Sequence, residues 1–103
     1  MQDYYKRRDF MIVFKNLMED YVIKTLDHMM KDLDCCKCEK CRLDIASYAL
    51  NRLPSKYVAT SQGEIMTKIF EFNSNQFETQ VMAAITSGAV VVKQHPRHIE
   101  SED

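Results

Sequence analysis

At 103 residues the chain is one domain's worth. Apolar residues make up 46% and charged residues 28%, a globular composition that excludes a disordered polymer. A net charge of -1 leaves no global field toward nucleic acid or an anionic membrane, and Lys6, Arg7 and Arg8 form the one compact basic run.

The N-terminal MQDYYKRRDF is followed by MIVF, an apolar run too short for a secretion signal and without a small-residue cleavage site. No stretch approaches the roughly 18 apolar residues of a membrane span. The expectation is a cytoplasmic protein with reduced thiols and one domain over residues 1–103, with flexible ends at 1–9 and 97–103.

From about Phe10 to Leu33 the apolar residues follow a helical period. Phe14, Leu17, Met18, Tyr21, Val22, Leu26, Met29, Met30 and Leu33 are separated by steps of one, three or four. Ile12 and Ile23 fall off that face and lie three helical turns apart. They predict a second partner for the helix, which a small domain finds in another copy of itself. The helix is expected to stop near Asp34, before the cysteine segment.

A second helix is expected from Arg42 to Leu53. Ala46, Ala49, Leu50 and Leu53 form its buried stripe with Ile45 beside them, and Pro54 ends it. Tyr57 and Val58 follow as an extended anchor. Ser61 and Glu64 match a capping box that opens a third helix through about Phe72. Asn73, Ser74 and Asn75 supply a break and a cap for a fourth helix, with Phe77, Val81, Ala84, Ile85, Gly88 and Val92 on one face. Its β-branched end, AVVV, is compatible with a short strand instead. The fold class read from this pattern is all-α, a small four-helix domain.

All four cysteines lie in CCKCEKC, at Cys35, Cys36, Cys38 and Cys41. A disulfide inside so short a segment removes little chain entropy. Three thiolates at C-x-C-x-x-C spacing can wrap one divalent ion, since a turn and a helix start bring those side chains together. Cys36, Cys38 and Cys41 have that spacing, and Cys41 falls where the free N–H groups of a helix start favour a thiolate. The reading is a zinc site that ties the first helix to the second. For the fourth ligand the options are Cys35, Asp44, His28, His95, His98, a water or a residue of a second subunit. A thiol cluster without an ion and a redox pair at Cys38 and Cys41 are the competing readings. The methionines read as core filler. Neither a phosphate loop nor a nucleophile–base pair is visible, so no enzyme is expected.

The stretch CKCEKCRLDIASYALNRLPSKYV resembles the signature of the late competence protein ComFB family. The resemblance rests on Cys36, Cys38, Cys41 and Asp44, then Ala49, Leu50, Asn51, Leu53, Pro54, Tyr57 and Val58. It extends more loosely through QGEIMTKI to PRH, and Cys35 lies outside it. The resemblance implies a mainly helical bacterial protein that forms a homodimer and binds zinc through the clustered cysteines. It also implies, for some members, a receptor for cyclic dinucleotides such as cyclic di-GMP, and for others a link to DNA uptake. Such a ligand needs cations for two phosphates and flat groups for two purines. Arg42, Arg52, Lys56, Tyr57 and Arg97 are the groups available, each also readable as a solvated or core-edge residue. The sequence therefore points to a zinc-binding, non-enzymatic regulatory homodimer that receives a cyclic dinucleotide. The alternative is a competence-linked protein–protein adaptor whose metal is architectural. No membrane partner is expected, and nucleic acid is disfavoured.

Overall fold

The computed structural model describes residues 11–95. Strand β1 (Ile12–Asn16) leads into helix α1 (Leu17–Met29) and a 3-10 turn (Met30–Asp32). The cysteine segment follows, then α2 (Glu39–Leu50), strand β2 (Tyr57–Thr60), α3 (Ser61–Phe70) and α4 (Asn75–Gln94). The expectations for Arg97, His98 and both chain ends lie outside the described residues.

An all-α fold is therefore incorrect. β1 and β2 pair antiparallel, with Ile12 opposite Thr60, Lys15 opposite Val58 and Asn16 opposite Tyr57, and a bulge between Ile12 and Lys15. The single long helix fails at its start. Ile12, Val13 and Phe14 have strong strand propensity, and pairing with the equally β-prone YVAT outweighs the helical spacing of the segment. Asn16 marks the change of state. Its Oδ1 accepts from the N–H of Met18 at 3.1 Å as the N-cap of α1 and from the N–H of Lys56 at 2.7 Å across the ribbon. Ile12 thus lies in β1 and Ile23 in α1, half-buried against the core, so the two share no helical strip.

The core is made by α1, α2 and α4. Met18, Val22 and Leu26 meet Cys41, Ile45, Ala46 and Ala49, and both sets meet Phe77, Val81, Ile85, Ala89 and Val92. Small residues let α2 and α4 approach closely: a Cβ on Gly88 would stand 3.1 Å from Tyr48 Cδ1 and 3.2 Å from the Ile45 carbonyl oxygen. Tyr21, Phe72 and Phe77 form a second anchor, with Phe72 stacked on Phe77 at 4.6 Å and Tyr21 meeting both rings edge-on. AVVV continues α4 rather than forming a strand, with Ala89 and Val92, three residues apart, on the buried face and Val90 and Val91 exposed.

The ribbon and α3 form an arm beside this core. Thr60, not Ser61, caps α3, accepting from Gly63 N–H at 3.0 Å. Ser61 instead closes the ribbon, donating its N–H to Met11 C=O at 2.9 Å and accepting from Met11 N–H at 3.2 Å. Glu64 pairs with Lys68 and Lys15. No residue of α3 is buried.

Candidate metal centre

The cysteine segment is built by the end of α1 and the start of α2. The helix begins at Glu39, earlier than Arg42, because Cys38 adopts extended backbone and serves as its N-cap. The Cys38 sulfur accepts from Cys41 N–H at 3.4 Å, and the Cys36 sulfur accepts from Cys38 N–H at 3.5 Å. These bonds turn alternate side chains to one side. The sulfurs of Cys36, Cys38 and Cys41 all lie within 4.8 Å of one another. Four-coordinate zinc with Zn–S of about 2.3 Å sets its sulfurs about 3.8 Å apart, so the three thiols fit such an ion with a small inward movement. Among the described residues no other His, Asp, Glu or Cys joins the group.

Exposure falls along the set: Cys36 is exposed, Cys38 half-buried and Cys41 fully buried. Burial, reinforced by hydrogen bonds from Cys38 and then Cys36, pushes the Cys41 thiol up to about 12. Without a cation this sulfur keeps its proton at neutral pH. A bound divalent ion would stabilise the thiolate and release that proton, which couples metal uptake to the packing of α2.

The surrounding charges brace the turn. Arg42 donates to both carboxylate oxygens of Asp27, at 2.8 and 3.1 Å, and to Glu39 at 3.1 Å, fastening α2 to α1. The Arg42 hydrogen bond holds the Asp27 carboxyl below its usual range. Lys93 pairs with Asp34 and so brings the C-terminal end of α4 to the same turn. Lys37 donates to the carbonyls of Leu33 and Cys35.

The expected ligands divide clearly. Cys35 packs against the core but stays outside the three-sulfur group. Both oxygens of Asp44 are taken by Lys40, at 2.9 and 2.8 Å. His28 donates from Nδ1 to the Lys24 carbonyl at 2.9 Å. It lines a groove of about 530 Å³ with Tyr21, Met29, Phe72, Glu78 and Met82, and no cysteine borders that groove.

The groups expected to hold a small ligand lie in different parts of the fold. Arg42 is committed to two carboxylates. Arg52 lies beyond the far end of α2, about 15 Å of helical rise away, with its guanidinium carbon 3.5 Å from the Tyr48 ring centroid. Lys56 pairs with Glu71 at 2.6 Å, and Tyr57 is exposed on the ribbon, stacked on Phe14 at 5.7 Å. Sequence reading missed Asn16, whose position before Leu17 carried a cap signal hidden by the apparent helix, and Tyr48, which supports Arg52.

Comparison with known proteins agrees with this architecture. The family model described as late competence development protein ComFB matches residues 15–96. The solved structure of the late competence protein ComFB from Bacillus subtilis superposes with a TM-score of 0.71 at 26% identity, covering 82% of this chain and 96% of that one. No curated protein matches the chain.

Proposed function

The chain belongs to the late competence development protein ComFB family, and on that premise we propose that it is a non-enzymatic regulatory protein that acts by docking. One zinc ion per subunit braces its helical core, and its arm binds other protein surfaces, a second copy first. The observation that carries the reading is the state of the arm. Ile65, Met66, Ile69 and Phe70 share one face of α3 by their spacing and are exposed, Phe70 by 73%. Phe14 and Tyr57 add an exposed aromatic pair, 73% and 61% accessible. A two-stranded ribbon and a ten-residue helix without a buried side chain have little stability of their own. A second copy laid on this face supplies the missing burial. Ile12 belongs to this arm, whereas Ile23 packs on the core. Reduced cysteines as zinc ligands suit a reducing, cytoplasmic setting, and no helix among the described residues is long and apolar enough to cross a membrane.

Native mass spectrometry of the purified protein tests both parts. The expected species is a dimer with one zinc per subunit. The variant Ile69→Lys is expected to give zinc-loaded monomers, and Cys38→Ser to lose the metal. A wild-type monomer would refute the docking reading, and a metal-free wild type would refute the zinc reading.

A second reading, a cyclic dinucleotide receptor, is favoured by the Arg52–Tyr48 pair. It presents a flat guanidinium backed by a ring at the protein surface, and among the described residues no carboxylate pairs with Arg52. Such a plane can stack on a purine. Calorimetric titration with cyclic di-GMP, repeated on Arg52→Ala, decides it. Heat in the wild type that vanishes in the variant supports the receptor; no heat leaves the adaptor.

A further inference from the structure

The groove of about 530 Å³ follows α1 from Leu17 to Met29, about 18 Å of helical rise. Its floor is apolar, made by Leu17, Tyr21, Met29, Phe72 and Met82. We propose that this groove receives helix α3 of a second copy, while the groove of the second copy receives α3 of the first. The proposal rests on the docking reading above and names the surface that takes the helix.

Size and pattern match. The ten residues of α3 rise about 15 Å, within the length of the groove. Ile65, Met66, Ile69 and Phe70 stand at i, i+1, i+4 and i+5, all exposed, the spacing by which an amphipathic helix lays one face into a groove.

None of these four side chains lines the groove of its own chain. α3 borders that groove through Lys68, and the turn after it through Phe72. Its inner side is held to the ribbon instead. A Cβ on Gly63 would stand 3.3 Å from Thr60 Oγ1 and 3.8 Å from Val58 Cβ, and Glu64 pairs with Lys15 at 3.8 Å. The helix therefore cannot turn its apolar stripe inward without leaving the ribbon. Stripe and groove adjoin along Lys68 and Phe72, so one continuous surface carries both a face to give and a face to receive. Such a surface is self-complementary, and a two-fold axis closes it in a pair. A single contact then covers two exposed apolar features at once.

Charge selects the same occupant. The groove is lined by Lys24 and Lys68 against Asp20 and Glu78. Among the described residues neither Lys24 nor Glu78 has an ionic partner. Glu64 and Lys68 stand on α3 itself, again one of each sign. A balanced rim suits a helix of mixed charge such as α3 and offers little to a polyanion or a strongly basic peptide.

Analytical ultracentrifugation of the full chain tests the arrangement with variants on the two sides of the contact. Ile69→Lys on the helix and Met82→Glu on the groove floor are each expected to weaken the wild-type dimer at least about tenfold. Mixed in equal amounts, the two variants are expected to form a heterodimer. One helix–groove pair in that complex is wild type, and the other sets the introduced lysine against the introduced glutamate. A second measurement does not depend on the variants folding. Met82→p-benzoylphenylalanine, irradiated in a mixture with nitrogen-15-labelled protein, is expected to cross-link to residues 65–70 of the other copy, read by mass spectrometry. Dimerisation of Met82→Glu equal to wild type, a mixture that stays monomeric, or a cross-link confined to one chain would each overturn the proposal. In those cases the dimer itself stands, with another surface receiving the helix. A monomeric wild type would overturn the docking reading instead.

Discussion

Replacing Asn16 by alanine should cost far more than its place at the edge of a small ribbon suggests. One oxygen serves two N–H groups, that of Met18 in the first turn of α1 and that of Lys56 on the opposite strand, and both bonds are partly buried. Loss of an N-cap side chain costs about 1 kcal/mol. Leaving a second, partly buried N–H without its acceptor adds about 1 kcal/mol. The expected destabilisation is therefore about 2 kcal/mol. Asn16→Asp keeps an oxygen for each donor and places negative charge at a helix start, so it should stay within about 0.5 kcal/mol of wild type. Urea unfolding followed by circular dichroism, at fixed protein and zinc concentration, measures both. With a slope of about 1.3 kcal/mol per molar urea, the alanine variant should unfold about 1.5 M earlier. An alanine variant within about 0.5 kcal/mol of wild type would refute the shared-acceptor argument.

Other outcomes follow from the same contacts. Gly88→Leu should destabilise by about 2 kcal/mol or more, because its side chain has no space between Tyr48 and the Ile45 carbonyl; unfolding midpoints equal to wild type would refute the close α2–α4 crossing. Arg42→Gln should cost less than about 1 kcal/mol, since Asp27 and Glu39 are solvent-accessible partners, and metal content by mass spectrometry should not change. In metal-free protein the raised Cys41 thiol makes stability fall with pH. Its contribution is complete below the ordinary value of 9.0 and is lost as pH rises through about 12. Urea midpoints at about pH 8 and about pH 10 should therefore separate, with a limiting slope of about 1.4 kcal/mol per pH unit, and the separation should shrink in Cys41→Val.

The three core helices and the cysteine group were legible in the sequence because each rests on local pattern. Met18, Val22 and Leu26 repeat at helical spacing, and C-x-C-x-x-C places its sulfurs within one turn and one helix start. The ribbon was not legible because β1 is defined by a partner more than 40 residues away. Phe14 fits a helical face by spacing, yet it is exposed on a strand, so periodicity alone misassigned it. The capping box failed for a related reason. Ser61 is drawn into the ribbon by Met11, which leaves Thr60 to cap α3. The candidate small-ligand residues were chosen by type, and their ion pairs with Asp27 and Glu71 depend on tertiary placement that type does not encode.

The gradient of burial across the three sulfurs sets an order of chemical attack. An electrophile or peroxide arriving from solvent meets Cys36 first, where the sulfur is open, and Cys41 last, where the core covers it. Damage would thus begin at the rim of the turn and loosen the grip on a bound ion before any core sulfur is touched. Where a peroxide has taken Cys36 only to the sulfenic acid or a disulfide, a thiol reductant returns the sulfur, and the set can re-form without refolding because Cys41 stays in the core.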